Sequence, residues 1–117
     1  MLKQTTGQLR EVLDTALNWD FEIFRLEDLT RGRPLTHLGL TLMGGRFDVC
    51  AALECDERTL LHWLTVVETN YHAVNTYHNS THAADVLQVN FVFSFCYHDY
   101  ISIQIDNPDF RLIEKCR

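Results

Sequence analysis

The sequence lacks most of the features that assign a function at a glance. No run approaches the roughly eighteen apolar residues of a membrane span, and the longest apolar stretch, residues 89–96, is broken by Asn90 and Ser94. No basic stripe is present: Arg25, Arg31, Arg33, Arg46 and Arg58 are scattered and the net charge is −6, so neither nucleic acid nor a membrane is an expected partner. None of the four cysteines, Cys50, Cys55, Cys96 and Cys116, belongs to a Cys-x-x-Cys pair, which removes zinc-ribbon and thioredoxin-like readings. Gly44-Gly45 is not followed by the Gly-Lys of a phosphate loop and reads as a joint. Met1-Leu2-Lys3-Gln4-Thr5 carries no apolar signal core, so the expectation is a cytoplasmic location with reduced thiols. Cys50 and Cys55 sit in an apolar setting and are expected in the core.

What remains is an ordinary globular composition, 46% hydrophobic over 117 residues, enough for one domain with a modest core. Leu9, Val12, Leu13, Ala16 and Leu17 form one helical stripe, with Thr6 as the expected N-cap. Residues 19–29 read as an extended entry followed by a helical turn, and residues 30–34 as a loop set by Gly32 and Pro34. Leu35, Leu38, Leu42 and Met43 recur at helical spacing until Gly44-Gly45, and Phe47, Cys50, Ala51 and Leu53 make a shorter stripe. Asp56 is an expected N-cap for the strongest helix, whose stripe is Leu60, Trp63, Leu64, Val67 and Tyr71, with Trp63, Leu64 and Val67 expected in the core. His37, His62 and His72 read as surface or helix-flank residues.

The most informative stretch is Tyr77-His78-Asn79-Ser80-Thr81-His82-Ala83-Ala84-Asp85-Val86. Two histidines four apart share one face of a helix, so both imidazoles can enter one pocket, as two metal ligands or as a ligand beside a proton donor. Two polar side chains satisfied by hydrogen bonds is the plain alternative. A zinc-protease reading fails, because the general-base glutamate of H-E-x-x-H is Asn79 here. A helix is expected from about Asn79 through Leu87. Beyond Gln88, the β-branched and aromatic residues 89–95 and the alternation of Ile101, Ile103 and Ile105 have strand character.

Taken as a string, Tyr77 to Val86 with Asn70-Tyr71-His72 upstream resembles the signature of the class I cyclic nucleotide phosphodiesterases. Trp19-Asp20-Phe21, Ile23-Phe24, Arg33-Pro34-Leu35, Leu38-Gly39-Leu40 and Arg46-Phe47 with Val49-Cys50 look like the entry region of the same catalytic domain, nearest to the high-affinity cAMP-specific eighth family. The resemblance implies an all-α, multi-helix catalytic domain that hydrolyses cAMP to 5′-AMP with Zn²⁺ and Mg²⁺. It makes His78 the general acid, His82 a metal ligand and Tyr77 a wall of the substrate pocket. The chemistry is coherent, since metal-bound water supplies a nucleophile near neutral pH and a histidine can protonate the departing O3′. Ala83 and Ala84 would let neighbouring helices approach, and Asp85 would cap, pair or support a ligand.

The same resemblance exposes a deficit. A catalytic zinc takes about three protein ligands, and the family's His-Asp pair, later Asp and purine-gripping glutamine have no counterpart here; His98-Asp99 lacks the family's flanking residues. The resemblance runs from about residue 18 to 87. The expectation is therefore a truncated catalytic domain over residues 1–88, followed over 89–117 by an unrelated, strand-prone or disordered tail from alternative splicing or a mis-joined reading frame. Such a chain should not turn over substrate. The alternative is a non-enzymatic fragment that associates with the full-length phosphodiesterase or its partners through apolar faces left uncovered.

Overall fold

The computed structural model describes the backbone of residues 2–106 and the side chains of residues 6–45 and 47–96. The described chain is all-α. Helix α1 spans Leu2–Leu13, α2 Ile23–Leu29, α3 Pro34–Gly39, α4 Val49–Ala52, α5 Glu57–Thr69 and α6 Ser80–Asp106, with a π-helical segment at Leu40–Arg46 between α3 and α4.

Helix α3 is the hub, packing against α6, α5, α2 and the π-helical segment. Its Pro34 sits at the first helical position, where the missing N–H costs nothing. The next two backbone N–H groups are orphan donors of a helix start, and a side chain from α5 satisfies them. Leu35 donates to Glu68 Oε2 at 2.7 Å and Thr36 to Glu68 Oε1 at 3.2 Å. Glu68 is itself buried. At the other end of α3, a Cβ on Gly39 would lie 2.7 Å from Leu64 Cδ2, so glycine is what lets α3 and α5 approach so closely.

The core gathers Val12, Ala16, Ile23, Leu26, Leu35, Leu38, Leu42 and Ala84, with Leu9, Leu13, Phe21, Val67, Leu87 and Phe91 packed around them. Ala84 is completely buried, as a small residue at a helix contact should be. On α5, Leu60 and Leu64 face inward, whereas Trp63 is 53% exposed. At about 100° per residue Trp63 falls a quarter-turn from Leu64, onto the flank of the stripe. Tyr71 is likewise exposed. Trp63 departs from the core position expected for it.

Local capping follows the sequence closely in places. Asp56 accepts from the Thr59 N–H at 2.7 Å and caps α5, as expected. Thr59, through its side chain first and then through this backbone bond, holds the Asp56 carboxyl below its usual range. Asp48 caps α4 through the Ala51 N–H at 3.1 Å. Thr6 is not a cap, because α1 begins at Leu2; the helix ends at Leu13, and tight bonds from Thr15 to Val12 and from Ala16 to Leu13 carry the stripe onward as turns. Gly44-Gly45 do not end the helical path. They lie in the wider π-helical turns, closed by a 2.8 Å bond from the Phe47 N–H to the Leu42 carbonyl.

The clearest correction concerns residues beyond Gln88. Helix α6 continues without a break to Asp106, so the strand character of residues 89–95 and 101–105 is not realised. Val92 is buried, Phe91 meets Phe47 with ring centroids 4.9 Å apart, and Phe93 meets Trp19 edge-on at 5.3 Å. β-propensity spans only about 1 kcal/mol, less than a growing helix gains by burying such a face. Gln88 ties the same helix to the N-terminal segment, donating from Nε2 to the Ala16 carbonyl at 2.9 Å and the Asn18 carbonyl at 2.8 Å. Residues 107–117 lie outside the described residues.

Glu68→Ala should leave two buried N–H donors unpaired at the start of α3 and lower unfolding free energy by about 3 kcal/mol, with Glu68→Gln losing about half as much. Urea denaturation measures both. His37, half-buried on α3, has its pKa lowered from 6.5 chiefly by burial, with Arg33 adding to the shift and Glu68 opposing it. Because the unfolded chain then takes up the proton first, the contribution of neutral His37 is complete above 6.5 and is lost as pH falls through the lowered folded value. The urea midpoint should drop between about pH 7.5 and about pH 5.5, and the drop should shrink in His37→Asn.

Candidate functional site

The motif occupies the turn between α5 and α6 and the first turn of α6. Asn79 is the pivot. Its side-chain oxygen accepts from the His82 N–H at 3.0 Å, capping α6, while its amide donates to the Asn75 carbonyl at 3.0 Å. The Asn75 amide in turn donates to the His78 carbonyl at 3.3 Å. These three side-chain bonds, which close the turn around the motif, all lie within residues 75–82.

This arrangement changes how the two histidines meet. His78 lies before the helix and His82 within its first turn, so they are not stacked on one helical face as the four-residue spacing suggests. The ring centroids are nonetheless 6.0 Å apart, with Tyr77 beside both: 4.4 Å from His82 at a tilt of 33°, and 4.9 Å from His78 edge-on. Tyr77 and His78 are exposed and His82 is half-buried. All three residues expected at the site are brought together.

A groove of about 380 Å³ opens beside them, lined by Tyr77, Asn79, Thr81, His82 and Asp85 from the motif and by Ile23, Phe24 and Glu27 from α2. His78 is not part of this lining. Phe24 and Glu27 are contributors that sequence reading did not single out. Phe24 is 72% exposed, and it belongs to the aromatic string after Trp19; a bulky ring left uncovered on the outer face of a helix is the one local signal that it serves the groove. Glu27 had no such signal, because a glutamate on a short helix usually faces solvent. Asp85 is exposed and lines the groove; no capping bond involves it among those described.

The donor set does not fit a catalytic metal. Among the described residues no three His, Cys, Asp or Glu side chains converge well enough to hold an ion. His82, Glu27 and Asp85 line the groove, but they do not converge as the three protein ligands of such a centre must. What the site can do on its own is present an imidazole, a phenol and two carboxylates to a small polar ligand.

Comparison with known proteins bears directly on this motif. The chain is 51% identical over 107 residues to the high affinity cAMP-specific and IBMX-insensitive 3′,5′-cyclic phosphodiesterase 8 of Drosophila melanogaster, a match that covers 92% of this chain and 11% of that protein. It is 53% identical over 92 residues, 79% of its length, to phosphodiesterase 8A of Homo sapiens, again covering 11% of the relative. A probable 3′,5′-cyclic phosphodiesterase of Caenorhabditis elegans is 36% identical over 78% of the chain and is covered to 12%. No family model and no solved structure matches. The chain belongs to the 3′,5′-cyclic phosphodiesterase family. Within it, the similarity is to the high-affinity cAMP-specific eighth type, of which the chain spans about one tenth. The fly match takes in 107 of 117 residues and so extends past Gln88, where the resemblance was expected to stop.

Asn79→Ala should remove the α6 cap and cost about 1 kcal/mol, whereas Asn79→Asp keeps the acceptor and should cost less. Amide exchange at Thr81 and His82 is the measurement, with faster exchange expected only in the alanine variant.

Proposed function

We propose that the chain is one corner of a cAMP phosphodiesterase site: Tyr77 a wall of the nucleotide pocket, His78 the proton donor to O3′ and His82 one ligand of a divalent metal. The observation that carries this reading is the clustering of these three rings beside one open groove, within a chain about half identical to enzymes named for cAMP hydrolysis. Zn²⁺ and Mg²⁺ are the metals such a site would take when its remaining ligands are supplied. His78, outside the lining and open to solvent, is free to approach a leaving oxygen from the rim. Donors for the metal do not converge among the described residues, and on this reading the chain is inactive alone. A cytoplasmic location is part of the same reading.

A second reading rests on a separate observation. Val86, Phe93 and Phe95 are exposed on α6, with Phe24 on α2 and Trp19 before it. Apolar residues at these positions suit a role in which the chain binds a full-length phosphodiesterase without doing chemistry.

Incubated with cAMP, Zn²⁺ and Mg²⁺, the isolated chain should give no 5′-AMP above background. Turnover that His82→Ala abolishes would overturn the incomplete-site reading. Size-exclusion chromatography with and without a full-length phosphodiesterase separates the two roles, since co-elution is expected only of the second.

A further inference from the structure

We propose that Cys50 and Cys55 form a redox-responsive dithiol, which a peroxide closes to an intramolecular disulfide. The pairing arises from the way α4 ends. The Cys55 N–H donates to the Cys50 carbonyl at 3.0 Å, and the Glu54 N–H to the Ala51 carbonyl at 3.3 Å. Glu54 sits at φ 53°, the left-handed region. This nested pair of bonds with a left-handed residue inside it is the Schellman ending of a helix, in which the residues at the two ends of the outer bond place their side chains together. In most helices that contact is hydrophobic. Here both positions are cysteine, so the turn sets the two side chains next to each other.

The pair is also accessible. Both are free thiols and only partly covered, contrary to the core position expected for them. Cys55 lines an apolar groove of about 300 Å³ with Met43, Leu53, Leu60 and Trp63. Burial first, then the neighbouring Cys55 and the carboxylates of Asp48 and Glu57, push the Cys50 thiol up. Closure is accordingly slow near neutrality and speeds up as pH rises, since the thiolate is the attacking form.

The chemistry balances with hydrogen peroxide as oxidant. One thiolate attacks the O–O bond, which breaks as an S–O bond forms and hydroxide leaves. The second thiolate attacks that sulfur, the S–S bond forms, and the S–O bond breaks. With the two thiol protons the peroxide ends as two waters, and the pair has lost two electrons. The disulfide joins the last turn of α4 to the residue before Asp56, the cap of α5, so oxidation locks the α4–α5 connection.

Arg46 and Arg58 flank the pair, so trypsin releases both cysteines in one peptide, residues 47–58. The full chain is equilibrated in glutathione buffers, alkylated and digested. The expected product is that peptide unalkylated and lighter by about 2 Da. Half-closure is expected at a glutathione ratio at least about tenfold more reducing than for the same peptide free in solution, because the fold presents the thiols together. Glu54→Gly keeps the turn without strain and should close at least as readily. Glu54→Pro cannot adopt positive φ and should behave as the free peptide does. Glutathione adducts on the separate cysteines, cross-links to Cys96 or Cys116, closure no better than the free peptide, or a Glu54→Pro variant that closes like the parent would each overturn the proposal.

Discussion

The carboxylate of Glu68 is the interaction on which the rest of the fold depends. Helix α3 is six residues long, too short to be stable by itself, yet it touches α2, α5, α6 and the π-helical segment. Something outside α3 must hold its first turn, and Glu68 does so with both oxygens. A buried carboxylate is costly to desolvate, and two backbone donors at the positive end of a helix are what offset that cost. Once α3 is fixed against α5, Leu35 and Leu38 form a floor onto which α2 and α6 pack. The Gln88 amide closes the opposite side by gripping the carbonyls where the α1 region ends. Two polar side chains, more than 15 residues apart in sequence, thus set the positions of helices that share one apolar core.

Features encoded locally were legible, and features that depend on distant partners were not. Asp56 as a cap, the inward Leu60 and Leu64, the loop around Gly32 and Pro34, and a helix beginning next to Asn79 each follow from neighbours within four residues. Glu68 carries no local signal, because its partners lie 32 and 33 residues away. Trp63 looked like core because its spacing fits a stripe, and only the width of the facing surface decides which flank is covered. The helix past Gln88 was misread for the same reason. Its β-branched and aromatic residues argue for a strand in isolation, but Trp19 and Phe47 offer Phe93 and Phe91 places to pack only when the backbone is helical. The expected tail is thus, through Phe93 at least, part of the same packed body.

The candidate site divides along that line too. Tyr77, His78 and His82 come together because Asn75 and Asn79 close the turn between them. None of these bonds reaches beyond residues 75–82. That self-sufficiency fits a motif recognisable as a string in a chain covering about one tenth of its relatives. A metal centre is the opposite kind of object. Its ligands must converge from separate elements at fixed distances, and no such set converges among the described residues. Local hydrogen bonding can preserve the shape of a catalytic motif, but only long-range convergence can supply its electrostatics. On the proposed reading, the rings of Tyr77, His78 and His82 are gathered locally while the charge that drives hydrolysis has to be supplied from elsewhere, since no donor set converges on them among the described residues.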